Sequence, residues 1–205
     1  MRNSLIVCCL AVAIAATGCQ RPVNVKPKPF AGAPQPAAQG TFAVGSVWRN
    51  LRNGAPIETV LAAKEGQFHT YQSSWGCTWV REENAFAPSL RFANCGGSDG
   101  AQKITGEEGK IWPLRIGSAQ SWSIVGQNAN GDTWETTRRC KVESTERVTV
   151  PAGAFDTYKV VCLDNWRTRT WYYAPSIKST VLFTNYDGQR QSIDKFELVS
   201  APVSQ

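Results

Sequence analysis

Metal sites, nucleophiles and general bases are built mainly from cysteine, histidine and carboxylates. This 205-residue chain has seven cysteines, 16 acidic residues and one histidine, His69. A Ser-His-acid system would have to use His69, and no Gly-x-Ser-x-Gly elbow accompanies it. No Cys-x-x-Cys spacing occurs, so a zinc site lacks both its thiolate pair and its imidazoles. Glu82-Glu83 and Glu107-Glu108 are adjacent carboxylates. Neighbouring residues on a strand point to opposite faces, however, which defeats a glycosidase-type acid/base pair. Glu107 and Glu135 are left as single candidates for a wall or glycan hydrolase. The Gly-rich run "CGGSDG" (95–100) precedes no helix and so cannot cradle a phosphate on a helix terminus. No catalytic residue, metal ligand or cofactor is expected.

The cysteines have other uses. A short positive start at Arg2 precedes an apolar run from Leu5 to Ala16. That run is shorter than the roughly 20 residues a spanning helix needs, and it reads as a secretory signal peptide. Ala16-Thr17-Gly18-Cys19 resembles a bacterial lipobox, with alanine where leucine is more usual. The resemblance implies cleavage before Cys19 and acylation of its thiol. Cys8 and Cys9 leave with the leader, and removing Cys19 as well leaves an even four: Cys77, Cys95, Cys140 and Cys162. An odd thiol in an exported protein needs explaining, and acylation explains it. Two or more acyl chains, at about 0.8 kcal/mol per buried methylene, make a stable anchor. The lipoprotein resemblance also implies sorting to the outer membrane, because Gln20, not Asp, follows the cysteine.

Residues 19–40 carry prolines at 22, 27, 29, 34 and 36 and no apolar periodicity, as in an extended tether. The net charge of +6 is misleading: Arg2, Arg21, Lys26 and Lys28 all precede residue 41, leaving 18 basic against 16 acidic residues beyond it. Basic residues beside an anchor add attraction to anionic lipid. The domain itself offers no basic run for a nucleic acid.

Residues 41–205 are long enough for one domain with a sizeable core. They hold short runs rich in Val, Thr, Trp, Tyr and Phe, punctuated by Asn53-Gly54, Asn130-Gly131 and Asp187-Gly188. Strands are expected at 42–51, 57–63, 67–73, 77–82, 119–126, 132–139, 143–150, 156–163, 168–174, 179–185 and 191–199. The fold class is all-β, with antiparallel meanders forming a curved sheet, half-barrel or sandwich. Period-2 alternation places His69, Tyr71, Ser73, Trp75, Cys77 and Trp79 on one face, and Tyr158, Val160 and Cys162 on another. Pairing near neighbours across hairpin-scale excursions predicts Cys77–Cys95 and Cys140–Cys162 disulfides.

"GSVWRNLRNGAPIETV" (45–60) and "GSAQSWSIVGQNANGDTWETT" (117–137) both run Gly-Ser, tryptophan, strand, turn, strand, which hints at two similar halves. In "ERVTVPAGAFDTYKVVC" (146–162), the Val150-Pro151-Ala152-Gly153 stretch is a type I turn signature, with Phe155 packing back onto the sheet. Together with "TWYYAPSIKSTV" (170–181) it resembles TapB-like bacterial envelope proteins, which share a Pro-Ala-Gly-x-Phe turn and a Trp-Tyr-x-Ala-Pro segment. That resemblance implies a β-rich envelope domain and carries no catalytic residues. Eight tryptophans remain. Trp122, Trp134, Trp171 and Tyr173 could line an aromatic pocket for a lipid tail or sugar face; as core anchors they would serve packing instead. The expected function is a non-enzymatic outer-membrane lipoprotein whose periplasmic domain binds an envelope partner. The alternatives are a carrier of an apolar ligand (a lipid or a lipoprotein) and the hydrolase.

Overall fold

A computed structural model describes residues 34–96 and 99–202. Its twelve strands are β1 (Val47–Arg52), β2 (Ala55–Glu65), β3 (Phe68–Ser73), β4 (Thr78–Glu82), β5 (Ser89–Ala93), β6 (Gly100–Lys110), β7 (Ala119–Asn128), β8 (Thr133–Val150), β9 (Gly153–Asp164), β10 (Arg167–Ala174), β11 (Ser179–Asp187) and β12 (Ser192–Ser200). Each pairs antiparallel with its sequence neighbours, and β12 returns to β1, so the sheet closes into a barrel. The antiparallel meander is as expected, and its curvature runs on to full closure. Closure is locked by Asn53, whose backbone N–H donates to Lys195 O and whose Oδ1 accepts from Lys195 N.

Two strands escaped the sequence reading. β5 has five residues, and β6 (GAQKITGEEGK) has three glycines and four charges around Ile104, its one large apolar side chain. Neither composition favours a strand; pairing along β7 makes one of β6. The expected strands 132–139 and 143–150 are a single strand, β8, with a bulge between Val142 and Ser144. Alternation holds where the ladder is regular: His69, Tyr71 and Ser73 are buried, as are Tyr158, Val160 and Cys162. It fails at Trp75. That side chain is 49% exposed because 74–77 turns between β3 and β4. Arg52 sits over its ring, and its indole N–H donates to Pro56 O.

The two Gly-Ser turns of the suspected repeat are built alike. Gly45 N donates to Leu61 O and Leu61 N to Ser46 O; Gly117 N donates to Val142 O and Val142 N to Ser118 O. The two turns close alike, Ser46 N to Ala43 O and Ser118 N to Arg115 O. Gly45 (φ 89°) and Gly117 (φ 91°) hold the same left-handed backbone, which explains both glycines. These turns start β1 and β7, half a circuit apart.

The main core lies in the lumen and draws on more than strands. Phe86 and Ala87 from the β4–β5 loop and Ile111 and Leu114 from the β6–β7 loop are buried there with Trp122, Ile124, Val160 and Trp171. Phe86 is fully buried, stacked on Trp112 and edge-on to Trp171. The proline-rich segment enters too, contrary to its reading as a tether up to residue 40. Ala37 is buried and bridges Leu114, Tyr158 Oη donates to Gln35 O, and Tyr173 Oη donates to Ala38 O. A smaller cluster forms where the β8–β9 hairpin brings Val148, Val150 and Phe155 against Ala174, Val181 and Leu198, as the Phe155 reading anticipates.

The outer face is polar. Lys103, Glu135, Arg139 and Lys141 all lie on it, opposite in pairing to the buried positions. An apolar main core inside a largely polar exterior is the inverse of a membrane-spanning barrel.

Both disulfides form as paired in the sequence reading, Cys77–Cys95 and Cys140–Cys162. Cys140 and Cys162 are directly opposed on β8 and β9. Each closes a loop of about 20 residues and is expected to contribute about 3 kcal/mol. Reduction should therefore lower the thermal unfolding midpoint by several degrees, and non-reducing peptide maps should recover these two pairs. Phe86→Ala should cost about 3–5 kcal/mol in urea denaturation, since it empties the middle of an aromatic stack.

Candidate functional site

The hairpin tips β1–β2, β3–β4, β7–β8, β9–β10 and β11–β12 crowd one end of the barrel, and residues 35–40 dock across the other. The tip end carries the features that packing does not explain.

Inside it, charge rather than hydrocarbon lines the lumen. On β8, Arg138 shares a face with the buried Cys140 and is 7% exposed. Its Nη1 donates to Phe86 O (3.3 Å) and its Nη2 to Asp164 Oδ2 (3.1 Å). Asp164, at the end of β9, also accepts from Arg169 on β10. Arg81, on β4, donates from Nη1 to Ala85 O (2.7 Å) and stacks over Tyr71. Burial, and then the neighbouring Arg169, pull the Arg138 guanidinium down to about 10. Nearer the rim, Arg52 forms a two-pronged pair with Asp194 at 3.0 and 3.2 Å, each side chain about one-third exposed. Asp187 is held ionised chiefly by the Arg190 backbone N–H, with Gln189 N–H and Arg167 also nearby.

Outside the tip end runs an apolar row. Leu163 pairs with Thr168, Thr168 with Tyr186, and Tyr186 with Ile193, so these side chains are cross-strand neighbours on β9 to β12. Leu163 is 53% exposed and Ile193 58%; Tyr186 and Trp166, in the β9–β10 turn, are also exposed. Gly188 N donates to Trp166 O, which draws the two turns together. Beside the row lies an open groove of about 600 Å³, and a second of about 690 Å³ over β6 to β8 shares Val125 and Glu135 with it. Thr105, Ser123, Thr137, Arg139 and Leu163 line the first.

The residues singled out in the sequence fall apart spatially. Trp122, Trp171 and Tyr173 are buried in the main core, where burial raises the Tyr173 phenol. Trp134 is half-buried elsewhere, its ring lying on Gly126 across β7 and β8 and lining the larger groove. The four do not form one aromatic pocket. Glu107 faces inward beside Trp122 and accepts from Gln120, whereas Glu135 faces outward. The two carboxylates stand on opposite sides of the sheet. Gln120 in turn accepts from Asn84 Nδ2 and Ile111 N, while Asn84 Oδ1 accepts from Trp112 Nε1. Glu107 thus ends a chain that staples two inserted loops. Burial, and then Glu107, raise the nearby Glu82. Among the described residues no three His, Cys, Asp or Glu side chains are grouped to share a metal ion. Cys19 lies outside the described residues.

The inward arginines and the apolar row were missed, although part of the signal was present. Arg138 falls in step with Cys140, and Arg169 with Trp171 and Tyr173, which puts guanidiniums on a buried face. The row could not be seen without the registers of β9 to β12.

No family model matches the chain, and no curated protein matches its sequence. Among solved structures, the hypothetical lipoprotein YmcC from Escherichia coli K12 aligns at 11% identity, covering 77% of this chain and 85% of that one, with a TM-score of 0.49. A protein described as exported and YmcC-like in fold, from Bacteroides fragilis NCTC 9343, aligns at 13% identity over 82% of this chain and 99% of that one, with a TM-score of 0.40.

His69 is 6% exposed, and burial, followed by Lys64, lowers its pKa. A folded value below the unfolded one of about 6.5 makes the unfolded state the stronger proton binder. The stability involved is fully present above that pH and is lost as pH falls through the folded value. NMR titration of this single imidazole should give a midpoint below the ordinary range, and His69→Gln should flatten that part of the stability–pH curve.

Proposed function

We propose that this chain is a non-enzymatic lipoprotein, acylated on Cys19 and held at the outer membrane, whose barrel reaches into the periplasm and docks an envelope partner on its hairpin-tip end. One observation carries the reading: residues 35–40 dock across the end opposite the apolar row. A chain anchored through its N-terminal segment therefore turns Leu163, Trp166, Tyr186 and Ile193 away from the anchor. Exposed aromatic and branched side chains in cross-strand contact suit a protein interface, whose centre is typically rich in such residues. The two disulfides fit an oxidising compartment. The separation of Glu107 from Glu135 weighs against a hydrolase. The filling of the lumen by Phe86, Trp112 and Trp171 weighs against an apolar-ligand carrier.

Cys19→Ala should move the protein from the membrane fraction to the soluble periplasm, and the mass of the parent should begin at Cys19 with added acyl chains. In cells, crosslinking should give a discrete adduct that Trp166→Ser/Ile193→Ser abolishes without changing the unfolding midpoint. An adduct that persists in that variant would place the partner elsewhere on the barrel.

A further inference from the structure

Buried polar atoms in folded proteins nearly always have hydrogen-bond partners, so those that lack one are informative. Besides Arg167 Nε, which faces Asp187 Oδ2 at 3.6 Å, five such atoms among the described residues are Ser73 Oγ, Arg81 Nε, Thr136 Oγ1, Arg138 Nε and Asn185 Oδ1. Register places all five on the lumen side: Ser73 with Tyr71 on β3, Arg81 opposite His69, Thr136 opposite Ile124, Arg138 opposite Trp122, and Asn185 opposite Arg169. They come from β3, β4, β8 and β11, so they do not belong to one loop.

Charge is out of balance in the same region. Arg138 feels two other guanidiniums, Arg169 and Arg81, and one carboxylate, Asp164. The Arg52–Asp194 and Arg167–Asp187 pairs are each internally neutral. Among the groups that act on Arg138 the guanidiniums outnumber the carboxylate, and the side chains of Arg138, Asp164 and Arg169 are only 9–14% exposed; Glu83, which with Arg81 acts on His69, lies on the Arg81 side. Uncompensated charge buried to that degree is costly, and it is retained where something of opposite sign answers it. A structural duty explains part of the arrangement: the terminal nitrogens of Arg81 and Arg138 hold the Ala85 and Phe86 carbonyls of the inserted loop. It does not explain the free Nε of each, nor the need for three cations around one carboxylate. Exposure rises from Arg138 outward to the Arg52–Asp194 pair at the rim, which marks the tip end as the way in.

We propose that the tip-end lumen is a binding site for a phosphate-type oxyanion, held by Arg138, Arg169 and Arg81. Guanidinium forks match the oxygen geometry of phosphate, and Thr136 lies two residues from Arg138 on the same face of β8. The chemistry serves free phosphate and an esterified phosphate on a glycan or lipid headgroup alike. The site is independent of the lipid anchor and of the apolar row, so it stands if the partner reading fails.

The test is thermal unfolding of the whole mature domain in inorganic phosphate, with chloride holding the ionic strength constant, and with acetate and glycerol phosphate in parallel. Phosphate should raise the midpoint saturably, by about 3 °C or more in the millimolar range. A matching rise with glycerol phosphate would assign an esterified ligand; a rise with inorganic phosphate alone would assign the free ion. Arg138→Met should remove the increment, measured against the variant's own phosphate-free midpoint. Should Arg138→Met fail to fold, Arg169→Met makes the same test. An equal rise in chloride or acetate, or an increment that survives in the foldable arginine variants, would overturn the proposal.

Discussion

A sheet of twelve strands closed on itself encloses more space than its own inward side chains can fill. Eight strands already make an interior that side chains just occupy, and diameter grows with strand number. Close packing is the constraint on which the rest of this structure depends. The chain meets it by sending non-strand segments into the lumen: the β4–β5 loop with Phe86 and Ala87, the β6–β7 loop with Ile111 and Leu114, and residues 35–40 with Ala37. Phe86 sits at the junction, against Trp112 on one side and Trp171 on the other.

Filling a core with loops creates a second requirement. A strand brings its backbone hydrogen bonds with it, but a loop brings bare carbonyls and amides that must be answered in place. The side chains facing the inserted segments answer them. Arg81 and Arg138 donate to Ala85 O and Phe86 O, Tyr158 and Tyr173 donate to Gln35 O and Ala38 O, and the Asn84–Gln120 pair serves Phe86 N and Ile111 N. The polar residues inside the barrel are thus largely a consequence of how its volume is filled. The charge left over after that service is what marks the tip end as more than packing.

Legibility in the sequence followed from whether a residue's role is local. Tyr158, Val160 and Cys162 alternate on a regular ladder, and their burial reads directly from period 2. The disulfides were legible because their cysteines lie a hairpin apart. β6 was not legible: its strand character comes from β7 beside it, and its exposed residues have no reason to be apolar. Nor was the docking of residues 35–40. Ala37 and the carbonyls of Gln35 and Ala38 do the work there, and neither a small side chain nor a backbone oxygen leaves a compositional trace. Trp75 misled because alternation was carried past the end of β3 into a turn.

The two halves and the two ends pull in different directions. β1 and β7 start from turns with the same hydrogen bonds and the same left-handed glycine, which by itself would make a barrel with like sides. The insertions break that likeness, since the long β8–β9 hairpin has no counterpart on β2–β3, and only one half receives an N-terminal segment. Asymmetry between the ends follows as well. The segments that plug the lumen enter from the end opposite the tips and are apolar where they meet. Among the described residues the tips add no such plug, and the lumen beneath them stays lined by Arg138, Asp164, Arg169 and Asn185. Packing has been spent at one end, and the polar chemistry is concentrated at the other for that reason.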